Sequence, residues 1–254
     1  MKRKILIVSA VVLSTFGVSA QFSVGLKSGY AFPAGTNLLG YEQNGTTTTS
    51  LYGTSGQGVP VSLELRYMFN ESIGIQLDAS FLAGSEIVTS EDKTPGSESK
   101  TTSASQQIRL TPQLVLQAPS GFYGRFGAVL PVGGSTTVTS TNANGGGPSV
   151  PSERVIVAKG KLGLGIAGSL GYGFELSEKL SIFGELEYIG LGIKTASTEI
   201  TKYEVGGNDV LPSLTNDQIN ATYEDETTAG GNVSQGGSSS YSSFGVNVGV
   251  RFTL

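Results

Sequence analysis

The sequence predicts an all-β fold, a single antiparallel up-and-down barrel of eight strands. Three observations predict it. Eight stretches alternate apolar with small or polar residues at a period of two, which is the strand signature. The connections alternate between short turns and long polar loops. The composition, with 37 Gly, 9 Pro and 14% charged residues, is poor material for helices. A length of 254 residues suits one all-β domain.

Residues 1–20 stand apart. Lys2, Arg3 and Lys4 form a basic start, an apolar run follows to Leu13, and Val18-Ser19-Ala20 is a small-residue cleavage site. This is the pattern of a secretory signal peptide, cleaved to leave 21–254 as the barrel domain with four long surface loops. The first strand is then 22–32, FSVGLKSGYAF, and the second 59–69, VPVSLELRYMF. The third is 73–83, IGIQLDASFLA, and the fourth about 106–118, QQIRLTPQLVLQA. The fifth is 122–132, FYGRFGAVLPV, and the sixth about 159–174, KGKLGLGIAGSLGYGF. The seventh is 180 to about 193, LSIFGELEYIGLGI, and the eighth runs from 241 to 254. Asn70-Glu71-Ser72, Pro119-Ser120-Gly121 and 175–179 are hairpin-sized turns. The stretches 33–58, 84–105, 133–158 and 194–240 are long and polar. The last is long enough to hide a hairpin, so a barrel of ten strands is the alternative count.

Sorting the two faces decides the surroundings. One face carries Leu26, Leu63, Leu77, Leu110, Phe126, Leu170 and Leu186. The other carries Lys27, Glu64, Arg66, Asp78, Arg109, Arg125, Lys161, Glu185, Glu187 and Arg251 among Gly, Ser, Ala and Gln. Glycine-rich stretches such as Gly163 to Gly173 are too bare for a solvated exterior, but they suit the crowded interior of eight strands. Six cations and four anions on one face can pair internally, as a buried lumen requires. The aromatics on the apolar face gather near the strand ends. Phe22, Tyr67, Phe69, Phe122, Tyr172, Phe174 and Phe252 lie towards the short turns, and Tyr30, Phe32, Tyr188 and Phe244 towards the long loops. That spacing matches two lipid-interface girdles. The expectation is therefore a transmembrane barrel, apolar face to lipid and charge network in a narrow lumen. The competing reading reverses the faces and gives a soluble periplasmic ligand-binding barrel of lipocalin type.

The chain closes on SSFGVNVGVRFTL, alternating to Leu254 with Phe252 two residues before it. Together with the signal peptide, the strand count and the loop asymmetry, this ending resembles the small bacterial outer-membrane β-barrels of the OmpA/OmpX-like, porin-like superfamily. The resemblance implies a Gram-negative outer membrane, termini in the periplasm, and outer-membrane lipid as surroundings. It also implies recognition of the last strand by the barrel insertion machinery. It lies in architecture and not in a catalytic motif, so it does not choose among structural barrels, adhesins, minor channels and enzymes.

Chemistry is thinly represented. The chain has no His, Cys or Trp, which removes the commonest general base, the commonest metal ligand and all thiolate chemistry. Without the three early basic residues, thirteen cations face twenty anions, which argues against nucleic acid. Gly163, Gly165 and Gly168 spell G-x-G-x-x-G, but the alternation that follows is a strand and no helix opens there. Glu185 and Glu187 lie two apart on one strand face, with carboxylates about 7 Å apart. They are expected to pair with lumen arginines. The acids of the last loop, Glu204, Asp209, Asp217, Glu224, Asp225 and Glu226, lack calcium-loop spacing. No cofactor, metal site or enzymatic activity is expected. The leading function is a structural or surface-interaction barrel that displays its long loops to a surface ligand, and a minor pore for ions or small solutes ranks second.

Overall fold

The computed structural model describes residues 21–35, 37–144, 150–224 and 234–254, the side chains of 234 and 235 excepted. The expected signal peptide lies outside the described residues.

The wall is built from eight strands: β1 (Gln21–Pro33), β2 (Gly58–Met68), β3 (Ile73–Gly84), β4 (Ser99–Gln117), β5 (Phe122–Asn142), β6 (Gly165–Glu175), β7 (Leu180–Gly190) and β8 (Ser243–Thr253). Each pairs antiparallel with the next in this order. β8 then returns to β1 in unbroken register from Ser23↔Thr253 to Pro33↔Ser243, so the sheet is closed. Closure settles the strand count at eight. Gly192–Val205 pairs with Ser152–Gly160, outside the wall ring.

The alternation of the sequence becomes an alternation of environment. Along β8 the inward positions Ser243, Asn247 and Arg251 are buried, while Phe244, Val246, Val248, Val250 and Phe252 face out. Outward apolar side chains are bare, with Leu170 71% and Val248 66% exposed. A soluble barrel would bury these residues, so the reversed-face reading is overturned. Only surroundings as apolar as the wall itself make such an exterior favourable. The outward rings pair across strands at two levels. Phe22 sits opposite Tyr67 and Phe122 opposite Tyr172 near the short turns. Phe244 lies between Phe32 and Tyr188 near the other end.

Three short turns close one end, each with its own chemistry. Asn70 Oδ1 accepts hydrogen bonds from the backbone N–H groups of Ser72 and Ile73, the Asx pattern of a tight turn. Ser177 Oγ does the same for Lys179 and Leu180. Gly121 takes φ +92, a left-handed conformation that a side chain would strain.

At the other end the strands outrun the expected boundaries. β4 begins at Ser99 and β5 continues to Asn142, so stretches expected as loop are ladder, paired from Ser99↔Asn142 onwards. Their Thr, Ser and Val residues explain this, because β-branched side chains favour extended backbone. The expected sixth strand is in fact two. Ser152–Gly160 pairs with upper β5, residues 161–164 leave the ladder, and β6 starts at Gly165. The break lies opposite Pro131, which has no N–H to give a ladder on that side. Hairpin strands Leu38–Asn44 and Thr47–Tyr52, strand Ile87–Asp92 and strand Asn220–Glu224 complete a crown of loop structure above the wall. Its ion pairs are exposed: Lys93 with Glu42 at 2.7 Å, and Lys202 with Glu153 at 2.9 Å. Hydrogen bonds donated to those carboxylates hold both ammonium groups above their ordinary range. Exposed pairs of this kind add little to stability.

Val248 sits mid-strand and faces out. Val248→Arg is expected to destabilise the barrel by about 2–4 kcal/mol in lipid vesicles, the cost of a cation at the bilayer midplane. Urea unfolding in vesicles measures it, and a cost near zero would mean that this face is solvated.

Candidate functional site

Charges inside a narrow barrel have no bulk water to screen them, so each needs a partner placed by the strands. Lys27 on β1 supplies the centre. Its ammonium lies 2.7 Å from Glu185, 3.1 Å from Asp78, 3.1 Å from Glu187 and 3.7 Å from Glu64. Arg125 on β5 is the second hub. It reaches Glu64 and Asp78 at 3.2 Å each, contacts Glu185 through its other terminal nitrogen, and donates from Nε to Ser169 Oγ at 2.9 Å. Arg251 on β8 completes the cluster, 3.0 Å from Glu64. Neutral groups take the remaining acceptors. Asn247 donates to Glu187 at 3.1 Å, Tyr123 to Glu185 at 2.9 Å, and Gln76 to Asp78 at 2.6 Å. Side chains from every strand but β4 meet here, and Glu64 is completely buried.

Ring stacking organises the side of the cluster nearer the short turns. The guanidiniums of Arg66, Arg125 and Arg251 lie 5.0, 5.8 and 5.6 Å from the centre of the Tyr123 ring. Arg251 also covers Phe183 at 4.5 Å. Three like charges gather because the π face attracts each of them while the Tyr123 hydroxyl anchors on Glu185. The facing strands supply room. A Cβ on Gly171 would come within 2.4 Å of the Tyr123 ring, and one on Gly249 within 2.4 Å of Phe183. Those glycines are the bare inner face that the sequence shows.

Of the ten lumen charges expected, the structure brings seven into direct ion pairs: Lys27, Glu64, Asp78, Arg125, Glu185, Glu187 and Arg251. Arg66 and Arg109 are equally buried but bond to amides. Arg66 donates to Gln76 at 2.7 Å and to Gln117 at 3.3 Å, and Arg109 donates to Gln107 at 2.8 Å. Lys161 is not brought to the cluster. It precedes β6, is half-buried, and lines a small separate cavity near Gln107 and Tyr241. The expected girdle residues Phe22, Tyr30, Phe32, Tyr67, Phe69, Phe122, Tyr172, Phe174, Tyr188, Phe244 and Phe252 all take outward positions. Among the described residues the last-loop acids are not gathered. Asp209 accepts from the Leu211 N–H and Glu204 faces Lys202, while Asp225 and Glu226 lie outside the described residues.

Sequence reasoning missed Tyr123, Asn247, Gln76, Phe183 and Ser169 as members of the site. Phase was the available signal. Each sits an even number of residues from a predicted lumen charge on its own strand, apart from Ser169, whose strand carries none in the wall.

A closed antiparallel ladder with an apolar outside and an ion-paired inside defines a small outer-membrane β-barrel. No family model matches the chain, and no curated protein matches it. Solved structures do. The chain is similar to Neisserial surface protein A at 12% identity and TM-score 0.39, over 93% of this chain and 100% of the other. It is similar to CarO2 of Acinetobacter baumannii at 14% and 0.41, over 92% and 99%. It is also similar to the outer membrane protein OprG of Pseudomonas aeruginosa at 14% and 0.38, over 92% and 96%. At such scores the overlays add nothing to the ladder and the inverted faces, which carry the class by themselves.

Arg125→Gln removes a partner from Glu64, Asp78 and Glu185 together. It is expected to cost about 3–5 kcal/mol, as for other broken buried pairs, in urea titrations followed by tyrosine fluorescence. Lys93→Gln, on an exposed pair, is expected to change the midpoint negligibly. Gly171→Leu is expected to abolish the compact folded band in unboiled SDS electrophoresis, because the Tyr123 ring occupies the required space.

Proposed function

We propose that this protein is an integral outer-membrane barrel with a structural or surface-interaction role, exposing the crown at the cell surface and the short turns to the periplasm. The observation that carries this reading is the contrast between the two halves of the molecule. The lumen is crossed by a buried cluster of ion pairs, while the long connections are built into ladder beyond the wall. A lumen plugged by paired charges conducts poorly. Long connections held in register present a defined surface, and such loops are where binding surfaces usually sit. In this reading the aromatic girdles meet the two lipid interfaces, and β8 is the strand that the insertion machinery engages. The lumen charges serve stability and not turnover, so the protein is not an enzyme.

A minor pore for ions or small solutes is the second reading. A cavity of about 500 Å³ inside the crown favours it, because it opens a path part of the way down. The ion-pair layer beneath ranks it lower.

Whole-cell proteolysis and planar-bilayer recording test the pair. The expected outcome is cleavage within the crown on intact cells, a faster band when the membrane fraction is left unboiled, and no discrete conductance steps. Resistance of the crown on intact cells with cleavage only after lysis would overturn the orientation. Reproducible steps from wild-type protein would replace the leading reading by the pore.

A further inference from the structure

We propose that the upper lumen is a binding site for a small organic monoanion, a carboxylate, entered from the crown. The proposal rests on the reading above only for which compartment supplies the ligand. Two adjoining cavities form the site. The outer one, about 500 Å³, lies within the crown, and the inner one, about 150 Å³, lies against upper β4 and β5. They share Thr136, Ala158, Gly160, Ile193 and Tyr241. Among the described residues no carboxylate lines either cavity, although the crown carries acids close by. The polar lining is hydroxyl and amide, together with Lys161 at the inner cavity and Lys159 and Lys194 at the outer one. Tyr241 and Thr136 are joined through their hydroxyls at 2.7 Å, and Thr136 is joined to Ser105 at 2.9 Å.

The buried charge lies just beneath the floor, on Arg109, which itself lines neither cavity. Gln107 lines the inner cavity, and its Oε1 accepts from Arg109 Nε at 2.8 Å. Arg109 is only 2% exposed, and its Nη2 has no protein acceptor among the described residues. Glu187 below and Tyr241 above act on it electrostatically. Glu187 is already engaged by Lys27 and Asn247 at 3.1 Å each. A buried guanidinium with an open N–H and no contacting carboxylate is costly, and an anion entering from above supplies the missing partner. A monoanion fits one guanidinium. At the floor itself a second negative charge would face Glu187, which is the acid acting on Arg109 there. The same acid layer stops further descent, so the site holds its ligand without passing it on.

The test titrates ¹³C-labelled acetate at fixed ionic strength into the folded barrel in detergent micelles, following NMR line broadening. Orientation in a cell does not enter this measurement, so its failure and failure of the surface reading are separable. Saturable broadening is expected for wild type. Arg109→Gln is expected to weaken it at least tenfold, Thr136→Trp to abolish it by blocking the junction that the two cavities share, and Arg66→Gln, at the opposite end of the lumen, to leave it within twofold. Absence of saturation in wild type would overturn the proposal, the cavity then being merely hydrated. So would undiminished binding in Arg109→Gln, or equal loss in Arg66→Gln, which would point to the overall lumen charge. Where Arg109→Gln fails to give the fast unboiled band, Thr136→Trp decides, and binding equal to wild type would sink the site.

Discussion

Every backbone N–H and C=O of a wall in lipid must find its partner within the wall. An unpaired group there costs several kcal/mol, and no water stands by to replace the partner. The β8–β1 seam meets this demand with eleven residue pairs in continuous register, from Ser23↔Thr253 to Pro33↔Ser243. The rest of the molecule depends on that closure. Eight strands closed on themselves leave an interior only as wide as side chains. Residues of one alternation phase are then forced into it, and those of the other phase are forced out.

A narrow interior turns charge from a surface property into a packing problem. Lys27 and Arg125 contact the same three acids, Glu64, Asp78 and Glu185, so no single pair defines the cluster. Sharing of this kind lets each carboxylate accept from several donors, the condition under which buried charge offsets its desolvation. The large inward rings of Tyr123 and Phe183 fit only because Gly171 and Gly249 face them. Small residues on β6 and β8 and large ones on β5 and β7 are two halves of one packing solution.

The eight strands, the closed topology and the assignment of faces were legible in the sequence because alternation with period two leaves a one-residue slip no neutral outcome. Leu65 and Arg66 would exchange lipid for lumen. The identity of charged lumen residues followed from the same phase. Boundaries at the crown were less legible. Runs such as STTVTST in upper β5 read as low-complexity loop, and only a partner strand, here 152–160 and upper β4, makes them ladder. The split of the sixth strand was hidden for a related reason. Its local pattern continues through Lys161 to Leu164, and the interruption comes from Pro131 on the neighbouring strand. The pairing of lumen charges was illegible in detail, because contacts such as Lys27 with Glu185 depend on strands that meet across the barrel and not along the ladder.

Arg66 and Arg109 show why a lumen of nearly balanced charge is not electrically uniform. The two lie on opposite sides of the acid layer, and both bond to glutamine amides instead of carboxylates. Arg66 lies beneath a ring shared with two further arginines, and its charge is spread over the Tyr123 π face. Arg109 has no aromatic face of this kind among its described contacts. Towards the crown lie amides, hydroxyls and Lys161 around open space, and the acid acting on it, Glu187, is held by Lys27. Equal burial therefore leaves the two cations in unequal circumstances. Each has a terminal nitrogen without an acceptor among the described residues, but on the short-turn side the guanidinium is stacked on a ring and on the crown side it borders open space, so the same closure that plugs the barrel also gives its two ends different chemistry.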